Sequence, residues 1–241
     1  MKNRKTLIVL LGAAVALLSI NFAGAQSSSM SYQAYLSNSL TIWERVIEQS
    51  KSDQFNLAMA QYGYLNATMA TKDEEAFEKY YDHTVELLES LIESKVRTSE
   101  SRAVLSSVYG LAMAYDSWKG MYLGPKSGGL IGKAFADAAE HPLVVKLYAS
   151  SMLYTPEMFG GNPSEAVKQF ERSIALYKAQ GDTVNNWLYL DAMAHLGIAY
   201  NKVGKVKDAI EAYNSALAVE PNYGWVKNAL LPSAQKSMAN K

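Results

Sequence analysis

Apolar residues recur every three or four positions along most of the chain, the spacing of helices that bury one face. No run alternates apolar and polar residues over the length of a strand, so the pattern predicts an all-α fold. Helices are predicted over about 30–49, 53–70, 71–91, 100–123, 130–139, 141–155, 163–177, 184–203, 205–219 and 221–231.

Turn and capping residues mark the predicted ends of these helices. The segment Thr71–Glu74 has the spacing of a capping box, in which side chains satisfy free amides at a helix start. Asn162 is expected as an N-cap, with Pro163 at the first helical position and Glu165 completing the box. The glycine-rich stretch Gly124–Gly129 predicts an interhelical loop.

The 34-residue segment Leu190–Tyr223 carries small, aromatic and proline residues at fixed spacing. They are Leu196, Gly197, Tyr200, Ala209, Tyr213, Ala216 and Pro221. This spacing resembles the tetratricopeptide repeat (TPR) signature at seven of its eight positions, with Met193 where the signature has Trp. The small residues fit where two antiparallel helices approach closely, and Gly204 allows a left-handed turn between them.

The resemblance implies a TPR-like, right-handed α-solenoid of antiparallel helix pairs, because one repeat cannot bury its own apolar faces. We expect a single domain over 30–241, with degenerate hairpins before the clear repeat and a capping helix at 221–231. The region Gly120–Ile174 also loosely resembles uncharacterised exported helical proteins of Bacteroidota, which implies no activity.

In the TPR family, the first helix of each repeat lines a concave groove. The resemblance therefore implies a partner-binding groove whose side chains do not pack between helices. By register these are Trp187, Asp191, Ala194, Ile198 and Asn201.

The N-terminus has the pattern of a secretory signal peptide. Three basic residues precede the apolar run Leu7–Leu18, and Ala23–Ala25 provides the small residues of a cleavage site. We expect cleavage after Ala25, a short tether at 26–29, and a periplasmic or secreted protein. The alternative is a membrane anchor, although the run is shorter than the roughly 20 residues that span a bilayer.

Charge and composition exclude several classes of function. The 23 basic and 23 acidic residues balance, so no basic excess indicates nucleic-acid binding. With no cysteine there are no disulfides or thiolate metal sites. The stretch Gly128–Ala134 lacks the glycine spacing and hydroxyl of a phosphate-binding loop, and the three histidines are far apart in sequence. We therefore expect no enzymatic activity, cofactor or metal site.

Aromatic residues are abundant, with 16 tyrosines and four tryptophans. Many fall on the helical stripes, where packing explains them. Four others gather around the less regular middle of the sequence and form a possible aromatic pocket: Trp118, Tyr122, Tyr154 and Phe159.

Two functions agree with these patterns. The first is an exported, non-enzymatic TPR-like scaffold that binds a protein or peptide partner in the cell envelope. The second is a periplasmic helical-repeat protein that binds a small molecule and accompanies a transporter. An open groove favours the first, and a closed aromatic pocket favours the second.

Overall fold

The computed structural model describes residues 29–239, and it contains no β-strand among them. The signal-peptide prediction and most of the predicted tether lie outside these residues. The α-helices are α1 (29–37), α2 (Leu40–Ser50), α3 (Gln54–Thr68), α4 (Glu74–Glu93), α5 (Thr98–Tyr115), α6 (Gly120–Asp137), α7 (Pro142–Tyr154), α8 (Pro163–Ala179), α9 (Trp187–Lys202), α10 (Val206–Val219) and α11 (Leu231–Ala239).

The helices form antiparallel hairpins stacked side by side. Each helix from α2 to α10 packs against the helix that follows it in the chain. In addition α3, α5, α7 and α9 contact one another in series, so they form an inner row, while α4, α6, α8 and α10 lie outside it. This all-α, solenoid-like arrangement confirms the predicted fold class. No helix among residues 29–239 has the length and apolarity needed to cross a membrane.

The predicted repeat at Leu190–Tyr223 forms one of these hairpins, α9 with α10. A Cβ atom on Gly197 would lie 2.2 Å from Cε1 of Tyr213, so only glycine permits this close approach. Gly204 has a φ of 79°, which provides the left-handed turn between the two helices.

The first predicted helix, 30–49, is two helices. Asn38 adopts a left-handed φ of 48° and ends α1, a conformation that asparagine tolerates well. The Ser39 side chain then accepts a hydrogen bond from the Ile42 amide and begins α2. The apolar stripe runs through both segments, which is why periodicity alone joined them.

The glycine-rich stretch is helical, so the predicted loop at Gly124–Gly129 is wrong. It lies within α6, where Leu123, Ser127, Ile131 and Ala134 are buried at helical spacing. The Ser127 hydroxyl also hydrogen-bonds the Ser106 hydroxyl of α5 at 2.8 Å. This packing outweighs the low helix propensity of glycine.

Several helix ends differ from prediction. The helix predicted over 100–123 ends at Tyr115, and α6 begins at Gly120. Asp73, and not Thr71, caps α4, because its side chain accepts from the Ala76 amide. Asn162 caps α8 as expected, but its own amide donates to the Met152 carbonyl, so Glu165 does not complete a box. The last helical segment continues past Leu231 to Ala239.

The last segment contains a π-helical turn at Val226–Leu230. Pro232 follows this turn, lacks an amide hydrogen and would clash with a carbonyl one regular turn earlier. The wider turn accommodates the proline without ending the helix.

Candidate functional site

Helix α1 lies on the inner face, against the helix that the repeat signature identifies. The Tyr35 ring packs 5.5 Å from the Trp187 ring and 5.7 Å from the Tyr223 ring, measured between centroids. The Tyr32 hydroxyl donates to Glu220 at 3.2 Å. The inner face therefore holds a helix of the same chain, anchored by tyrosines.

Beneath α1, Asp191 is the centre of a buried polar network. Its carboxylate lies 2.5 Å from the Lys146 ammonium and accepts from the Tyr35 hydroxyl at 2.7 Å. The Tyr35 and Tyr223 hydroxyls also hydrogen-bond each other. The network joins α1, α7, α9 and the segment after α10, and it neutralises the one carboxylate of the predicted groove.

The environment of this ion pair favours its charged form. Burial alone would raise the pKa of Asp191, but His195 and Lys146, through charge and hydrogen bonds, hold it well below its usual range. Burial would likewise lower the pKa of Lys146, but the charge of Asp191 raises it. Because only 4% of the Lys146 side chain and 9% of the Asp191 side chain are exposed, each charge depends on the other for compensation.

His195 lies one turn after Asp191, at the edge of the network. Its Nδ1 is 2.9 Å from the Asp191 backbone oxygen and 3.3 Å from the carboxylate. Both atoms are acceptors, so Nδ1 carries a hydrogen, and Nε2 has no partner among residues 29–239. The imidazole is thus oriented by the network below it.

Two exposed aromatic rings flank this imidazole. The Tyr154 ring meets it edge-on at 5.8 Å and the Trp225 ring at 5.7 Å, while Phe170 stacks against it at 5.9 Å. Tyr154 is 57% exposed and Trp225 is 43% exposed. We call Tyr154, His195 and Trp225 the aromatic row. It spans α7, α9 and the last helical segment, and the described chain leaves it accessible.

The structure buries much of the predicted groove. Trp187, Asp191 and Ala194 are buried, and Ile198 and Asn201 are partly buried. The expectation that these side chains do not pack between helices is wrong for Trp187, whose ring contacts Trp43 of α2 and Tyr62 of α3. Their role in binding a partner stays a prediction. At Trp187 and Asp191, which Tyr35 contacts, it would require α1 to move.

The predicted aromatic pocket does not form as one enclosure. Trp118, Tyr122 and Phe159 are 77%, 56% and 72% exposed. No ring contact within the described chain joins any two of the four residues, and Tyr154 contacts His195 instead. Trp118 lies in a 3₁₀ turn just before α6 and Tyr122 lies in the first turn of α6, whereas Tyr154 is the last residue of α7.

The other two histidines, His83 and His141, contact side chains of adjacent helices. His83 Nδ1 lies 2.8 Å from the Gln61 amide nitrogen, and His141 Nε2 is 3.6 Å from Glu100. Within residues 29–239 no three His, Asp or Glu side chains are grouped as metal ligands.

Sequence reasoning missed Tyr35, Lys146 and Trp225. Lys146 left a signal, because it is the one charged residue in the apolar run 142–149. Such a lysine is expected to have a buried acidic partner, although spacing could not identify Asp191. Tyr35 left none, because its place on the helical stripe is explained by ordinary core packing.

Comparison with known proteins agrees with the fold. No protein-family model and no curated protein sequence matches this chain. The structure is similar to the crystal structure of TTC0263, a thermophilic TPR protein of Thermus thermophilus, with a TM-score of 0.54. The two sequences are 15% identical, and the match covers 94% of this chain and 97% of the other. The chain thus has the fold of a TPR-like solenoid of helical hairpins.

Proposed function

We propose that this protein is a non-enzymatic scaffold that binds a protein or peptide partner in the cell envelope through its inner face. One observation carries the proposal: the inner face already holds a helix, α1, and the aromatic row continues this surface without being covered. Asp191 and His195 are one turn apart, and the Tyr223 and Trp225 rings are 6.4 Å apart. The two surfaces are therefore contiguous.

The chemistry of the row suits a peptide side chain. Exposed tyrosine and tryptophan rings contribute large contact areas with little loss of side-chain entropy. The His195 side chain, which is 14% exposed, lies between them and adds a polar group to the row. We expect a partner segment that places an apolar or aromatic side chain against Tyr154 and Trp225.

Site-specific crosslinking tests this proposal. A photoreactive amino acid in place of Tyr154 should capture a partner in intact cells, whereas the same group at Glu211, exposed on the outer helix α10, should not. A double change, Tyr154→Ala with Trp225→Ala, should weaken binding of the captured partner by about thirtyfold or more.

Val96→Ala is a matched control, because Val96 is 44% exposed and lies between α4 and α5. Equal capture from positions 154 and 211, or full binding by the double variant, would contradict the proposed site. Capture of a small molecule in place of a protein would support the alternative function.

The envelope location has a separate test, since it depends on residues 1–25. Protein recovered from the envelope should begin at Gln26. An N-terminus at Met1 in the mature protein would contradict export by a cleaved signal.

A further inference from the structure

Helix α1 covers part of the inner face with few buried side chains. Of its nine residues, only Tyr32 and Ala34 are buried, whereas nine residues of α9 are buried. A helix of this length is not stable in water without its contacts to the rest of the molecule. The position of α1 therefore depends on the small number of side chains that reach the inner face.

The surface beneath α1 keeps its charges paired without α1. The Asp191 carboxylate lies 2.5 Å from the Lys146 ammonium and 3.3 Å from Nδ1 of His195, and none of these groups belongs to α1. Removal of a core element ordinarily leaves a buried charge or polar group without a partner, which is costly. Removal of the Tyr35 hydroxyl leaves Asp191 and Lys146 paired with each other. The inner face can therefore lose α1 and remain intact.

Two tyrosine hydroxyls of α1 donate to two carboxylates of the inner face. Tyr32 donates to Glu220 at 3.2 Å, and Tyr35 donates to Asp191 at 2.7 Å. Residues three positions apart lie on the same face of a helix. A different helix with two tyrosines at this spacing could present its hydroxyls to the same two acceptors.

Asn38 forms the joint between α1 and α2. Its left-handed φ of 48° ends α1, and its side-chain amide donates to the Ala67 carbonyl at 3.2 Å. The apolar stripe nevertheless continues from α1 into α2, as a single helix over 30–49 would require. If Asn38 and Ser39 became helical, α1 would leave the inner face and continue α2, with its own helical hydrogen bonds preserved.

We propose that α1 is a displaceable occupant of the inner face, and that the partner replaces it with a helix that carries two tyrosines three positions apart. On release, α1 and α2 become one continuous helix. This inference rests on the proposed function, in which a partner binds the inner face. It adds the segment that the partner displaces and the chemical groups that the partner presents.

Asn38→Gly and Asn38→Ala are matched variants with opposite expected effects. Both lose the hydrogen bond to the Ala67 carbonyl. Glycine adopts the left-handed conformation without penalty, whereas alanine disfavours it and stabilises a continuous helix. The ratio of released to docked α1 should therefore be at least about tenfold higher in Asn38→Ala than in Asn38→Gly.

A pair of spin labels measures this ratio without any partner. The chain has no cysteine, so labels on Gln33→Cys and Asn222→Cys are unique. Both positions are exposed, and they lie beside the contact between Tyr32 and Glu220. Double electron–electron resonance should show one short distance in Asn38→Gly and a second, longer and narrow distance in Asn38→Ala.

Two results of this measurement would overturn the proposal. The first is the same distance distribution in Asn38→Gly and Asn38→Ala, because α1 would then not pivot at this residue. The second is a broad component at long distance, because α1 would then fray and not continue α2.

A synthetic peptide of residues 29–38 is the probe for the chemistry of the partner. It is added to the labelled Asn38→Ala chain on the order of 1 mM, the effective concentration of a segment on a short linker. It should increase the population at the longer distance, because it occupies the inner face that α1 has left. The same peptide with Tyr32→Phe and Tyr35→Phe should increase it less. No effect of the first peptide, or equal effects of the two, would overturn recognition by the tyrosine hydroxyls.

Capture from position 154 in cells separates this inference from the proposed function. A partner that binds the uncovered face has an apparent affinity reduced by the fraction of molecules in which α1 is docked. Asn38→Ala should therefore increase capture and Asn38→Gly should decrease it. Equal capture by the two variants would overturn the displacement of α1 and leave the proposed site standing. Absence of capture in every variant, with distances that respond as expected, would contradict the proposed function alone.

Discussion

Gly197 shows how one missing side chain sets the spacing of two helices. The Tyr213 ring fills the place where a side chain would stand, and this ring is almost fully buried. Gly197→Ala should therefore lower the free energy of unfolding by roughly 1–3 kcal/mol, the usual effect of overpacking.

Gly110 of α5 is the matched control, because a Cβ atom there would meet nothing within 4 Å. Gly110→Ala should raise the free energy of unfolding by roughly 0.5–1 kcal/mol, through better helix propensity. Urea denaturation measures both variants. Equal stability of the two would show that α9 and α10 do not approach at Gly197.

Asp191 and Lys146 should behave as a unit. Asp191→Asn leaves the Lys146 ammonium buried without an opposite charge, which should cost about 3–5 kcal/mol of stability. Lys146→Met likewise leaves the buried Asp191 carboxylate without the opposite charge of the ammonium. The double variant should be more stable than the sum of the two losses predicts, because neither charge then remains.

A double-mutant cycle by denaturant unfolding measures this coupling. Glu44 and Lys79 are a control pair, since their contact is exposed and should couple by less than about 1 kcal/mol. If the losses at Asp191 and Lys146 simply added, the buried pair would not be the centre of the network.

At the scale of elements, the Tyr35 hydroxyl is the group that connects α1 to the buried Asp191 network. Tyr35→Phe keeps the ring against Trp187 but removes the hydrogen bond to the Asp191 carboxylate. Stability should fall by roughly 1.5–3 kcal/mol, the range for bonds to charged groups. Hydrogen exchange should increase in α1 more than in α5.

Tyr122→Phe is the corresponding control at an exposed ring of α6 and should change neither measurement. An unchanged exchange rate in α1 after Tyr35→Phe would mean that the Tyr35 hydroxyl does not hold the helix in place.

Elements whose contacts are close in sequence could be predicted, and the others could not. The hairpin of α9 and α10 follows from Gly197, Gly204 and Tyr213 because these residues meet within one repeat. The cover over Asp191 comes from Tyr35, which is 156 positions away in sequence. Helical periodicity predicts that Tyr35 packs in the core, but it does not identify the distant helix that Tyr35 contacts. The sequence therefore predicts that α9 lines the inner face, but it does not predict that α1 covers part of this helix.

Across the whole molecule, the buried network makes stability depend on pH in both directions. The pKa of Asp191 is lower in the folded protein than the value of about 3.9 in an unfolded chain, so its contribution is present above that value and is lost as pH falls. Burial, and then the charge of Asp191, raise the pKa values of Tyr35 and Tyr223 well above 10. Their contribution is present below about pH 10 and is lost as pH rises.

We therefore expect a plateau of stability between about pH 5 and 9, with a decline on each side. Tyrosinate absorbance should rise together with the loss of helical circular dichroism on the alkaline side, because the buried hydroxyls ionise when the chain unfolds. Tyr35→Phe should make the alkaline decline less steep. Tyrosine ionisation completed before any loss of helix would contradict this picture.

The hydrogen bond between Tyr32 and Glu220 joins residues 188 positions apart. In an open array of repeats, each unit needs only its neighbours, and a partly synthesised chain can fold from its beginning. Here the first described helix finds its place only after residues near the other end exist. Until Glu220 and Tyr223 are in place, the side of α1 that carries Tyr32 and Tyr35 stays uncovered. We therefore expect a late, long-range step in the folding of this chain, in which α1 docks after the helices that it contacts have formed.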